Sequence, residues 1–182
     1  GAFSATYDYF FEWLKASEEE KIDRKAISED GVSLSYFADG LLPKANLIDY
    51  IENFILFENQ SIKIIAKNHQ YLGVNNLIES VKDRKALAGK LGVFWHTQGS
   101  GKSYSMVMFT RKVKRKIEGN FTFLIITDRD DLDTQIHKNF VRTEVIGDKE
   151  ECQPKNGAQL REYLQTNKSF IFTLIHKFNY DK

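Results

Sequence analysis

Apolar positions along the chain change their period near Gln60. Before it they recur at helical spacing: Tyr7, Phe10, Phe11 and Leu14 form one stripe. Leu47, Ile48, Ile51, Phe54 and Ile55 form another, behind Asn46, a residue suited to cap a helix. Glu18-Glu19-Glu20-Lys21 between them reads as a solvated turn or helix end. A third stripe, Tyr71, Val74, Ile78 and Val81, predicts a helix from about Asn68 to Val81, with Gln70 off its apolar face. Beyond Gly89 short apolar runs bounded by turn residues take over, as in buried parallel strands that alternate with helices.

Gly92-Val93-Phe94-Trp95 is expected to be the first of these strands. Lys102 to about Glu118 follows as a helix with Met106, Phe109 and Val113 inward, stopped by Gly119-Asn120. Phe121 to Thr127 is the second strand, Asp130 to Phe140 and Ala158 to Gln165 are helices, and Ser169 to Leu174 is the third strand. This βαβαβ order predicts an α/β fold with a parallel sheet, preceded by a mainly helical segment. The change of period divides the chain into residues 1–60 and 61–182.

Composition narrows the classes. The 182 residues are 42% hydrophobic and 28% charged, which suits a folded domain rather than a disordered one. The net charge is +1 and no apolar run approaches the roughly 20 residues of a membrane span, so no membrane contact and no bulk basic field are implied. Nucleic-acid contacts, if made, are local. The lone cysteine, Cys152, has no disulfide partner and reads as a loop thiol in a reducing cytoplasm. The chain opens Gly1-Ala2-Phe3 with no initiating methionine, which hints at an excised fragment or at the remnant of a tag.

The chemistry lies in His96-Thr97-Gln98-Gly99-Ser100-Gly101-Lys102-Ser103, between an expected strand and an expected helix, where a Walker A phosphate loop belongs. Gly99 and Gly101 let successive backbone N–H groups turn toward phosphate oxygens, and the helix N-terminus favours an anion. Lys102 would reach the β and γ phosphates of ATP, and Ser103 would hold Mg²⁺. His96 stands where the strict pattern asks for Gly; a packed imidazole is the plainer reading of it than a metal ligand or acid–base group.

Four segments resemble the restriction (R) subunit of type I restriction-modification enzymes, superfamily two helicase-like proteins. They are Ile65-Ala66-Lys67-Asn68-His69-Gln70-Tyr71, Phe94-Trp95 with the loop, Ile125-Ile126-Thr127-Asp128-Arg129-Asp130-Asp131-Leu132-Asp133, and Ile171-Phe172-Thr173-Leu174-Ile175-His176-Lys177-Phe178. Phe10-Phe11-Glu12-Trp13-Leu14-Lys15 more loosely resembles the tail of that family's nuclease domain. The resemblance implies a P-loop (RecA-like) helicase lobe, incomplete within residues 61–182, after the end of the nuclease domain and a linker in residues 1–60. It implies an ATP site of Gln70, Thr97, Gln98, Gly99, Ser100, Gly101, Lys102 and Ser103, with Gln70 reading adenine through its amide. It also implies DNA contacts from Thr127, Asp128, Arg129 and Gln135. The family's R subunit hydrolyses ATP to translocate double-stranded DNA and then cuts it, in the cytoplasm, with methylation (M) and specificity (S) subunits.

Other readings compete. A P-loop enzyme of another class such as a kinase, a binding module that never turns ATP over, and another superfamily two helicase fit the same loop; a GTPase is disfavoured because no Asn-Lys-x-Asp appears. Phe123-Leu124-Ile125-Ile126-Thr127-Asp128 imitates a Walker B strand, but no Glu follows Asp128. The resemblance puts the Asp-Glu pair past Lys182, so the 182 residues alone are expected to be inactive, and the nuclease residues are expected outside them because no Asp with a following Glu-x-Lys precedes the motor segment. The basic run Arg111-Lys112-Val113-Lys114-Arg115-Lys116 reads as a solvated helix face rather than a DNA patch.

Overall fold

The computed structural model describes residues 12–17, 19–30, 33–147 and 150–179. The expected stripe at Tyr7, Phe10 and Phe11, and Glu18 of the acidic turn, lie outside them. Short helices α1 (Arg24–Asp30) and α2 (Ser33–Leu41) lead to α3 (Lys44–Asn53). α3 starts directly after Pro43, whose missing N–H costs nothing at a helix start. Asn46, expected as the cap, lies inside the helix and donates from Nδ2 to Gly40 O at 2.9 Å. Tyr50 is buried, whereas Ile48 and Ile51 are exposed, so the expected stripe misplaced the inner face.

The helix does not continue to Ile55. The chain turns instead into a hairpin of β1 (Ile55–Glu58) and β2 (Ile62–Ile65), antiparallel with Ile55 opposite Ile65. Asn59 and Gln60 both take positive φ, which closes the turn, and the β-branched residues of β2 favour the pleat. α4 (Asn68–Lys82) follows, with Tyr71, Val74, Ile78 and Val81 buried as the stripe predicts. α5 (Lys102–Lys116) packs beside it. On α5, Val113 is buried as expected, but Met106 and Phe109 are only half-buried while Val107 and Met108 are fully buried.

β3 (Phe123–Thr127) and β4 (Phe170–Leu174) pair in parallel, with Phe123 opposite Phe170 and Thr127 opposite Leu174. α6 (Asp130–Arg142) and α7 (Gly157–Gln165) form the connection between them. Every residue of β4 is buried. The described residues are therefore mixed α/β with a small parallel sheet. That sheet is two-stranded, because Gly92-Val93-Phe94-Trp95 does not form the expected strand. A strand needs a ladder neighbour, and no described strand pairs with these residues. Val93 and Trp95 are 91% and 87% exposed, and Phe94 instead lies over α4 at Gly73, where an added Cβ would meet its ring at 2.3 Å.

The core joins two aromatic groups. Trp13, Tyr50, Phe54 and Tyr71 pack ring against ring under α3 and α4, and Phe140, Phe170 and Phe172 do so under α6. The segment around Trp13 is also tied by Asn68, which accepts from Leu14 N at 3.3 Å and donates to Lys15 O at 3.0 Å. Cys152 is buried in the same core rather than lying open in a loop, and burial pushes its thiol up to about 12.

The basic run is a solvated face only in part: Lys114, Arg115 and Lys116 are exposed, while the residues before them turn inward. Lys112 is buried, with Nζ 2.6 Å from Asp49 Oδ2 and 2.5 Å from Asn75 Oδ1. Arg111 donates to Ile55 O at 3.2 Å, Arg115 donates to Glu52 O, and Lys116 pairs with the Glu52 carboxylate at 2.6 Å. The reason is electrostatic: the end of α3 offers the Glu52 carbonyl and the carboxylates of Asp49 and Glu52, the start of β1 adds the Ile55 carbonyl, and cations on α5 satisfy them. Among the described residues no helix is long and apolar enough to cross a membrane.

Candidate functional site

The site is built where the irregular stretch before residue 98 turns into α5. Gly101 stands at the helix N-terminus with φ 85°, and Gly99 precedes it with φ 77°. Both values lie in the left-handed region that glycine occupies without a Cβ penalty. Gly101 O accepts from Tyr104 N at 3.0 Å and Ser105 N at 3.1 Å, which starts the helix. Lys102 is exposed, and its Nζ donates to His96 O at 2.7 Å and Thr97 O at 2.9 Å. The ammonium thus sits inside the curl of its own loop. Thr97, Gln98 and Gly99 are exposed, and Ser103 is half-buried on the first turn of α5. Ser100 Oγ is buried without a hydrogen-bond partner.

The first turn of α4 closes the other side. Gln70 is 4% exposed, and its Nε2 donates to Gly101 O at 3.0 Å and to Ser105 Oγ at 3.2 Å. His69 Nε2 lies 3.2 Å from Ser100 O. Its ring meets that of His96 edge-on at 4.5 Å, and Phe94 packs on His96 at 4.3 Å. His96 is a packed imidazole, as read, though on irregular chain rather than a strand end. Burial holds the His69 imidazole below its ordinary pKa, the nearby Lys67 charge acts the same way, and the Ser100 carbonyl opposes them. His69, Trp95, His96, Thr97 and Ser100 line a cavity of about 310 Å³ beside the loop.

The structure therefore brings Gln70 together with the loop 97–103. Thr127, Asp128, Arg129 and Gln135 form a separate group at the end of β3 and the start of α6. Thr127 is buried, and its Oγ1 donates to Asp133 Oδ1 at 3.3 Å, while Asp133 Oδ2 accepts from Gln153 at 2.7 Å. Asp128, Arg129 and Gln135 are exposed, with Arg129 Nε 3.9 Å from Asp128 Oδ1. Sequence reasoning missed His69 and Ser105. Their signals are positional: His69 adjoins Gln70, and Ser105 stands one helical turn beyond Gly101.

The sequence pattern of the SWI2/SNF2 ATPase family matches residues 69–182, from His69 through the loop to the last residue. The chain belongs to the SWI2/SNF2 ATPase family. Within this family its likeness to type I restriction endonuclease subunits is borne out. It is 37% identical over 98% of its length to the type I restriction enzyme HindI endonuclease subunit of Haemophilus influenzae. It is 28% identical over 98% of its length to the putative type I restriction enzyme MjaIXP endonuclease subunit of Methanocaldococcus jannaschii. These matches span 17% and 18% of the two relatives. A third, the C-terminal part of the putative MpnIIP endonuclease subunit of Mycoplasma pneumoniae, is 28% identical over 88% of the chain and 76% of that relative. An ATPase family implies use of ATP, and the SWI2/SNF2 match begins at the turn of α4 that grips the loop.

Proposed function

We propose that this chain carries the ATP-binding part of the DNA-translocating motor in the R subunit of a type I restriction enzyme. Residues 61–182 would begin its RecA-like lobe, and residues 1–60 would close the nuclease domain and linker. The observation that carries the reading is the Lys102 ammonium held by the carbonyls of His96 and Thr97 at the mouth of α5. A lysine kept there by two replaceable hydrogen bonds is poised to exchange them for phosphate oxygens. The buried Ser100 hydroxyl without a partner, and two left-handed glycines, suit a loop that closes on an anion.

Gln70 and residues 97–103 would hold ATP, with the Ser103 hydroxyl as the chain's Mg²⁺ ligand. Mg²⁺ there would neutralise charge on the β and γ phosphates. Asp128, Arg129 and Gln135, exposed beyond β3, would face the backbone of double-stranded DNA; Thr127, turned toward Asp133, would support them. In the whole protein, hydrolysis would drive translocation before cleavage, alongside M and S subunits in the cytoplasm. The test is DNA-stimulated phosphate release by the full-length protein. It is expected to be abolished by Lys102→Ala, and a wild-type rate in that variant overturns the reading.

A further inference from the structure

Two neighbouring side chains on α4 grip two neighbouring carbonyls of the loop. His69 Nε2 meets Ser100 O at 3.2 Å, and Gln70 Nε2 donates to Gly101 O at 3.0 Å. The rest of the Gln70 amide is also engaged: Nε2 donates to Ser105 Oγ at 3.2 Å, and Oε1 accepts from Lys67 N at 2.9 Å. A primary amide has two donor hydrogens and one acceptor oxygen. Both donors are therefore committed within the protein. The approach also depends on Gly101, where an added Cβ would stand 2.9 Å from Gln70 Nε2.

Peptide geometry gives this grip a consequence. In a planar trans peptide the C=O and the following N–H point in opposite directions. Holding the Ser100 carbonyl toward α4 turns the Gly101 N–H away from it. The Gly101 carbonyl, which the first turn of α5 also holds through Tyr104 N and Ser105 N, does the same for the Lys102 N–H, and Gln70 adds a third donor to it. These are backbone donors that an anion at the start of α5 would use. Resting on the ATP-site reading above, we propose that Gln70 and His69 are positioning residues that orient the loop amides for a triphosphate whatever base it carries. Gln70 then acts through the loop, before and apart from any contact with adenine.

The deciding ligand is inorganic tripolyphosphate, which has no base to read. Its affinity for the full-length protein, and that of ATP, would be measured for wild type, Gln70→Glu, His69→Phe and Lys102→Ala, with circular dichroism as the folding check. Gln70→Glu keeps the shape and the acceptor for Lys67 N, but it removes both donors and sets an oxygen against Gly101 O. Its tripolyphosphate affinity is expected to fall about tenfold, the scale of one lost buried hydrogen bond. His69→Phe keeps the ring and loses Nε2, with a fall of about threefold expected for its weaker contact. In both variants the amides of Gly101 and Lys102 should exchange hydrogen faster without ligand. Unchanged tripolyphosphate affinity in Gln70→Glu overturns the proposal, even if discrimination for ATP is lost. Should Gln70→Glu fail to fold, His69→Phe decides by the same two measurements. Lys102→Ala separates the two readings: if it weakens tripolyphosphate and the α4 variants do not, only the positioning role fails. If it has no effect, the phosphate site fails with it.

Discussion

Helix α5 carries cations at both ends, and the two ends are built in opposite ways. At its start Lys102 is exposed and held only by backbone carbonyls of a glycine-bearing loop. Toward its end Lys112 is buried against Asp49, Asn75 and the Phe54 ring, while Arg115 and Lys116 fasten to Glu52. The first arrangement leaves a charge available at little cost to the fold. The second spends its charge on holding α3, α4 and α5 together. The lesson is that a lysine's role follows from what its ammonium can let go of, not from the density of charge around it.

The comparison would break most visibly through Lys102. Lys102→Ala is expected to lower ATP turnover of the full-length protein at least about a hundredfold, as loss of a charge on the reacting phosphates does. Its thermal unfolding should stay near wild type, because the ammonium is solvent-exposed. A destabilised variant would show that the first end is structural too.

Lys112→Met should do the reverse. It leaves the Asp49 carboxylate and Asn75 without their cation and is expected to cost about 2–3 kcal/mol of stability by chemical denaturation, tempered by the partial solvation of Asp49. Lys116→Ala removes an ion pair whose side chains are 43% and 40% exposed and screened by solvent, so its denaturation midpoint should stay close to wild type. Equal costs for the two would erase the distinction between the buried and the exposed parts of the run.

The smallest effect expected is on pH dependence. The His69 imidazole, held below its ordinary value of 6.5 chiefly by burial, binds a proton less readily folded than unfolded. The sign follows from linkage: its contribution is fully present above about pH 6.5 and is lost as pH falls through the lower folded value. His137 is depressed by burial too, against the opposing charge of Asp133, and adds a slope of the same sign. Denaturation midpoints across about pH 5 to 8 should therefore rise with pH, and His69→Gln should flatten part of that rise. An unaltered slope would remove His69 from the account.

What was legible in the sequence was local. The helices at Asn68, Lys102, Asp130 and Gly157 and the strands at Phe123 and Phe170 follow from short-range period, and all six lie within a few residues of where that period puts them. The loop's glycines and Lys102 were legible for the same reason. The β1–β2 hairpin was not, because Phe54 and Ile55 prolong the α3 stripe and only the backbone at Asn59 and Gln60 reveals the turn. The short apolar run at Val93 predicts a strand, yet a strand exists only with a neighbour to pair. Polar burial was the hardest part. Gln70 is off the apolar face, as expected, but it is buried by partners at Gly101 and Ser105, 31 and 35 residues along the chain. Lys112 is buried by Asp49, 63 residues away. No local pattern carries such pairings.

The buried thiol of Cys152 has a practical side. It is the only cysteine in these 182 residues, it lies against β4 through the bond from Phe172 N to its carbonyl, and burial pushes its thiol further from ionisation than an open one. Alkylating reagents consume thiolate, so the folded protein is nearly inert to them and the opened protein is not. The rate at which one labelled sulfur accumulates is therefore a clock for how often the core beside β4 opens. Followed at the peptide that carries Cys152, the clock reads the core that β4 shares with α6.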